Sequence, residues 1–280
     1  MKRRTLLAAL AVSALGCHRT AGTAGGARRL VSLSPGITDA LFEIGAGSQV
    51  VARSDYCDYP AEVARLPRVG TSLTPSYETI TRLSPSLIVG EDGANARRRE
   101  LEAIGPTLLL PWLTLDEITQ SMRELGRRTE TVAAADALAA RLKARLAVPS
   151  PPHGPRVLLV IGYQPGKLEE LWFVRENSLH GSALHAAGAR NAVPDVVAGL
   201  PRLSIERLLR VDPDAIFVLT QPGRAAGDYL APFQALTPLR AVREGHVSVV
   251  EAPEAYVHGP RILSLVDRLT VEVTKLGARP

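Results

Sequence analysis

The sequence predicts an α/β protein of two lobes, each built on a mainly parallel sheet, joined by one long α-helix. Three observations carry that expectation. Strand-like and helix-like segments alternate in two series, which implies parallel strands with covering helices. Between the series, residues 130–148 contain no Gly or Pro and are rich in Ala, Leu, Arg and Lys, the composition of an uninterrupted helix. A segment of the first series is also echoed in the second.

In the first series, the apolar run 30–34 reads as a strand that stops before Pro35. Residues 36–44 read as a helix ended by Gly45, a residue that accepts the left-handed conformation of a helix stop. Residues 50–52 form a second strand, 77–83 a short helix, and 87–90 a buried strand. A helix is expected over 95–104 up to Gly105, then a strand over 107–110 and a helix over 115–129. The linking helix over 130–148 spans about 28 Å at 1.5 Å per residue. Pro149, Pro151, Pro152 and Pro155 end it, because proline can neither donate to the ladder nor fit the preceding turn. The second series runs as strand 156–161, helix 178–187, short helix 205–210, strands 215–219 and 246–250, and a closing helix 261–276. The resulting division is a leader over 1–16, a tether over 17–28, and an N-terminal lobe over 29–129. The linker and its Pro-rich exit cover 130–155, and the C-terminal lobe 156–280.

The echo pairs Tyr77-Glu78-Thr79-Ile80 with Ile205-Glu206-Arg207-Leu208. Each unit opens on a Glu, is broken seven residues later by Pro85 or Pro213, and continues into a buried strand. Ser76 and Ser204 stand where an N-cap would, and an early Glu suits the positive helix end. On spacing alone both Glu residues are capping partners; their repetition in two lobes raises the alternative that both face one partner.

The formal charge of +5 suggests a nucleic-acid partner, but its location argues against one. Six basic residues precede the first strand, namely Lys2, Arg3, Arg4, Arg19, Arg28 and Arg29, and without them the remainder is one charge negative. The folded body is near neutral, and no nucleic-acid role is expected. Lys2-Arg3-Arg4 followed by the apolar stretch 5–16 reads as an export signal. Twelve helical residues span about 18 Å, too short for a hydrocarbon core of about 30 Å. Ala14-Leu15-Gly16-Cys17 resembles a lipoprotein cleavage box, which implies lipidation of Cys17 and an anchored location on the periplasmic side of a bacterial membrane. With Cys17 so used, Cys57 has no intramolecular partner and reads as a small buried hydrophobe.

Catalytic and metal signatures are absent from the sequence: no GxSxG, HExxH, CxxC or GxxxxGK[ST] occurs. His180 and His185 lie five apart, on different helix faces, so no shared metal is expected. No catalytic residue or cofactor is assigned, and an exported α/β hydrolase is kept only as the alternative of a different class.

Residues 29–278 resemble the substrate-binding proteins of ABC importers whose lobes are joined by a rigid helix. The resemblance rests on Arg29-Leu30-Val31-Ser32-Leu33-Ser34-Pro35 with Thr38-Asp39, on Asp55-Tyr56-Cys57-Asp58-Tyr59-Pro60, and on Pro67-Arg68-Val69-Gly70. The two Glu-to-Pro units and Gly245-His246-Val247-Ser248-Val249-Val250 complete it. The first tyrosine segment is most similar to the cobalamin-binding branch. The resemblance implies a monomer with a ligand cleft between lobes, a corrinoid as cargo, and an ABC permease dimer with its ATPase as partner. It implies that Glu78 and Glu206 dock on the permease and that Tyr56 lines the cleft. Where that branch carries tryptophans, this chain has Ser72, Glu91 and Leu200, so part of the large aromatic surface is lost. Tyr163, Trp172, Tyr256, His258 and Arg261 are the candidates to replace it, with Trp112 expected in the core. An iron siderophore or haem is the alternative cargo, since Tyr or His can ligate haem iron.

Overall fold

The computed structural model describes residues 28–164, 167–196, 201–223 and 225–277. The leader, the tether with Cys17, and Leu200 lie outside the described residues. The first lobe runs β1 (Leu30–Ser32), α1 (Pro35–Glu43), β2 (Val50–Arg53), α2 (Tyr77–Leu83), β3 (Leu87–Glu91), α3 (Arg98–Glu102) and β4 (Thr107–Leu110). Its sheet has the order β2-β1-β3-β4 and every pair is parallel. β1 stops two residues earlier than expected because Ser34 leaves the strand to cap α1. The Ser34 hydroxyl accepts from the Ile37 N–H, and Pro35 takes the first helical turn, where its missing N–H costs nothing. α3 is half the expected length: residues 95 and 96 remain in the turn that follows Gly93, and the helix starts only at Arg98.

α4 (Leu115–Thr129) begins with a capping box in which Thr114 and Glu117 satisfy each other's backbone N–H groups. It ends at Glu130, which adopts the left-handed conformation at φ 61°. The linking helix is therefore shorter than expected, as α5 (Val132–Leu146), and folds back on α4 through a two-residue turn. Asp116 meets Lys143 at 2.8 Å and Arg123 meets Asp136 at 3.0 Å, so the two helices run antiparallel. Gly126 lets them touch, since a methyl there would stand 2.4 Å from the Ala135 Cβ. α5 then bridges the molecule: Arg141 reaches Glu43 of α1, and Arg145 reaches Asp267 at the far end.

The second lobe runs β5 (Arg156–Gln164), β6 (Lys167–Phe173), α6 (Leu179–Ala186), β7 (Arg190–Asn191), β8 (Arg202–Ser204), α7 (Ile205–Val211), β9 (Ala215–Thr220), α8 (Ala226–Gln234), α9 (Arg240–Arg243), β10 (Val247–Glu251) and α10 (Ile262–Gly277). Its sheet is mixed, in the order β10-β9-β5-β6-β8 with β7 beside β5. β5 pairs in parallel with β9 and β7, and β9 with β10. β6 is antiparallel to both β5 and β8. The hairpin β5–β6, β7, β8, α8 and α9 are additions to the predicted series.

The echoed units occupy equivalent places. α2 and α7 each span seven residues and end on a left-handed residue, Ser84 or Asp212. Each then passes a proline into a parallel strand, β3 or β9. The caps differ: the Ser204 hydroxyl accepts from the Arg207 N–H, whereas the Ser76 hydroxyl donates to Thr79 Oγ1 and makes no cap. One hydrophobic core joins both sheets through α5, including Leu30 and Val89 from the first, Leu138 and Leu142 from the helix, and Leu159 and Phe217 from the second.

Candidate ligand-binding site

The lobes meet at the carboxyl ends of their parallel strands. Gly36, just past β1, packs against the chain just past β10 so closely that a Cβ would fall 1.9 Å from the His258 carbonyl oxygen. Trp112 is buried, as expected, and its indole Nε1–H donates to that same carbonyl at 2.5 Å. The Leu179 N–H donates to the Leu113 carbonyl at 2.8 Å. In open α/β sheets, ligands bind in crevices at this end of the strands.

On the N-terminal side, a recess of about 220 Å³ opens at the ends of β1, β3 and β4. Ser72, Leu73, Glu91, Asp92, Asn95 and Arg97 contribute to its lining. Glu91 accepts a 2.5 Å hydrogen bond from Ser34 Oγ. Its side chain reaches solvent, yet the surrounding protein raises its pKa by desolvation, and the Ser34 bond offsets this only in part.

Tyr56 is 71% exposed, on a loop pinned from within. Cys57 is buried and lies 3.0 Å from Thr38 Oγ1 and 3.2 Å from Ser54 Oγ. Burial raises its thiol pKa, so it acts as an anchor rather than a thiolate. Arg53, 4% exposed, donates to the carbonyls of Val63 and Ser54 and fixes both ends of the turn.

On the other side, a recess of about 190 Å³ is walled by Ile161, Phe173, Val174, Ala255 and Tyr256, with Leu113 reaching in from the first lobe. Its polar lining comprises Arg175, Ser178, His180 and His258. The His180 and His258 rings meet edge to face at 4.6 Å. Because the Ala255 carbonyl can only accept, the His180 Nε2 atom 3.1 Å away carries the proton. Burial lowers the His180 pKa to about 3, and the neighbouring His258 lowers it further. His258 is lowered to about 4 by burial first and by the Arg175 charge second. Both imidazoles are neutral at pH 7. Tyr256, 45% exposed, donates from its hydroxyl to the Leu219 carbonyl at 3.0 Å.

Three expected cleft residues are engaged elsewhere. The Tyr163 hydroxyl donates to the Tyr229 carbonyl at 2.8 Å and its ring packs edge-on against Phe233, which turns it into the second lobe's core. Trp172 lies over Gly162, on the face of β6 opposite Leu171 and Phe173, and is 47% exposed. Arg261 ties the lobes together: its Nε donates to Asp39 Oδ2 at 2.7 Å, its Nη2 to Asp58 at 3.4 Å, and its guanidinium lies 4.6 Å above the Tyr59 ring. Asp39 is 1% exposed; burial raises its pKa to about 6 against the lowering effect of Arg261.

Ser72 and Glu91 thus share one recess, Tyr256 and His258 the other. Arg175 and Asp39 are functional candidates that sequence reasoning missed. Arg175 follows β6, whose residues do not alternate as a strand's ordinarily do, and nothing near Asp39 in the chain marks the cation it meets. His180 and His185 take different partners, the latter lying 3.0 Å from Glu176 Oε1. Glu78 and Glu206 are exposed, one on each lobe, and Glu78 pairs with Arg82 at 2.6 Å. The Ser204 hydrogen bond lowers the Glu206 pKa. Among the described residues, no helix is long and apolar enough to cross a membrane.

Comparison with known proteins agrees with this architecture. The vitamin B12-binding protein of Pectobacterium carotovorum is 27% identical over 262 residues, covering 89% of this chain and 90% of that one. The crystal structure of the periplasmic vitamin B12 binding protein of Vibrio cholerae superimposes with a TM-score of 0.69 at 23% identity, over 90% of this chain and 98% of that one. A periplasmic heme binding protein from Pseudomonas aeruginosa gives 0.70 at 23% identity, over 89% and 92%. Residues 30–253 match the description "Periplasmic binding protein", and with two lobes meeting over a cleft at their strand ends the chain belongs to that periplasmic binding protein family.

Proposed function

We propose that this chain is the substrate-binding component of an ABC importer that captures cobalamin or a related corrinoid between its lobes. The observation that carries the reading is a recess on each lobe together with an exposed aromatic, Tyr56, on an internally anchored loop, in a chain whose similarity to vitamin B12-binding proteins extends over nearly its whole length. Tyr56, Ser72 and Glu91 meet the ligand from the N-terminal lobe, while Tyr256 and His258 meet it from the other. Cys17 carries a lipid that holds the monomer at the periplasmic face of the membrane, and no chemistry takes place on the cargo. Glu78 and Glu206 dock on the two subunits of a permease whose ATPase drives release. Because the helix and core connecting the lobes are continuous, capture uses a largely preformed cleft.

Titration calorimetry of the purified protein with cyanocobalamin tests this. The expected result is a one-to-one complex of micromolar affinity or better, with a gain of about 2.7 kcal/mol in stability at a hundredfold excess over Kd. A folded sample giving neither heat nor a melting shift overturns it. Haem is the second reading, favoured by two neutral imidazoles in one recess, and a Soret band shifted on haemin addition supports it instead.

A further inference from the structure

We infer that Glu91 sets the ligand selectivity of the N-terminal recess: its carboxylate accepts from a ligand edge bearing amide N–H groups and rejects an edge bearing carboxylates. This deepens the proposed function, since it rests on the ligand lying between the lobes, and it separates the two cargoes considered there by the chemistry of their rims. Parallel pairing places the group. Ser32 of β1 lies beside Val89 of β3, so Ser34 and Glu91, each two residues further on, leave the sheet side by side. Ser34 is 1% exposed, and its hydroxyl donates to Glu91 Oε1 at 2.5 Å. The same hydroxyl accepts from the Ile37 N–H at the start of α1. A buried hydroxyl held on both sides thus fixes the direction of the carboxylate.

No neighbour neutralises this acid: Glu91 makes no ion pair among the described residues. Asp92 beside it is engaged, accepting from the Gly93 N–H at 3.0 Å and from Arg98 at 3.2 Å. Arg97 lines the recess too, yet it does not offset the charge; desolvation raises the Glu91 pKa, and only the Ser34 bond opposes it. A ligand covering the recess takes further water from Glu91, and that hydration has to be replaced by donors. Amide N–H groups replace it with charge-assisted hydrogen bonds. A ligand carboxylate offers no donor and adds like-charge repulsion in a wall that already disfavours the ionised form. Ser72 and Asn95, in the same lining, carry neutral donors and acceptors that suit an amide rim.

The test compares matched probes by calorimetry on the purified wild-type protein and on Glu91→Gln and Glu91→Asp. Cyanocobalamin is paired with its monocarboxylic acids, in each of which one peripheral propionamide is hydrolysed. Haemin, which carries two carboxylates, is paired with its dimethyl ester. The wild type should bind cyanocobalamin about tenfold or more tighter than the monoacid whose carboxylate meets Glu91, the loss of a charged hydrogen bond. It should likewise favour the dimethyl ester over haemin. Glu91→Gln, which keeps the shape and removes the charge, should close both gaps. Equal wild-type affinities for cyanocobalamin and every monoacid, or gaps unchanged in Glu91→Gln, overturn the selectivity and leave the corrinoid reading in place. Should Glu91→Gln lower the melting temperature, Glu91→Asp decides: withdrawing the carboxylate should narrow the gaps, and undiminished gaps count against. If no corrinoid binds but the preference for the ester depends on Glu91, the corrinoid reading fails and the selectivity stands. A folded protein that binds neither macrocycle overturns both.

Discussion

Arg53 turns its guanidinium inward onto loop carbonyls, and Cys57, next to Tyr56 in the chain, is buried against Thr38 and Ser54. On the proposed function, such anchoring holds a 71% exposed ring in position at little ordering cost to binding. Glu78 and Glu206 have the opposite environment, each exposed on its lobe. Glu78→Arg or Glu206→Arg should leave cyanocobalamin affinity unchanged in calorimetry and abolish uptake in reconstituted vesicles; a joint loss of both would remove the docking assignment. The buried imidazoles make a second residue-level prediction. Their folded pKa values of about 3 and 4 lie below the ordinary 6.5. The stability of keeping them neutral is thus full above pH 6.5 and is lost as pH falls toward the folded values, by about 1.4 kcal/mol per pH unit per group. Asp39 acts in the other direction, because its raised pKa of about 6 favours the fold below pH 3.8 and loses that contribution as pH rises through 6. Urea midpoints between pH 7 and 5 should fall for the wild type, fall more steeply for Asp39→Asn, and rise toward pH 5 when both histidines become Gln and Asp39 is left to act alone.

Element lengths were set by single residues that periodicity does not weigh. Glu130 in the left-handed region converts a continuous helical composition into a hairpin, and Ser34 leaves β1 to cap α1. Ala, Leu and Arg on either side of Glu130 favour helix equally, so only the packing of α5 back onto α4 decides where the turn falls. β6 escaped notice because its two Glu residues and short length blur the alternation of a strand, while pairing with β5 and β8 on both edges supplies what propensity lacks. The Gly126 contact gives a prediction at this scale. Gly→Ala within a helix ordinarily stabilises by about 1 kcal/mol. Here the new methyl meets Ala135 at 2.4 Å, so Gly126→Ala should instead lower stability by about 1–3 kcal/mol in urea unfolding.

Across the whole molecule, the lobes are held by a continuous core, by backbone contact at Gly36, and by the ion pair between Arg261 and Asp39. Arg261 is 13% exposed and Asp39 1%, so the pair contributes through mutual dependence rather than net stabilisation. Arg261→Met should cost about 3 kcal/mol at pH 7 by leaving a buried carboxylate uncompensated. Asp39→Asn combined with Arg261→Met should recover most of that loss in a double-mutant cycle, and additive effects would show that the two do not act together. Since the pair crosses the lobe boundary, Arg261→Met should also weaken cyanocobalamin binding more than the double variant does.

Local chemistry already determined much of this in the sequence. The alternation of elements, the helical linker, the repeated Glu-to-Pro units and the burial of Trp112 and Cys57 follow from periodicity, proline geometry and apolar character. Those features need only neighbours along the chain. What the tertiary structure alone decided is which distant side chains meet. Arg261 finds Asp39, 222 residues away, Trp112 finds the His258 carbonyl, and Arg175 arrives beside two histidines in one apolar wall. The physical reason is that such contacts are chosen by the packing of two lobes. Charge, reach and burial there depend on the approach of elements whose sequences carry no record of one another.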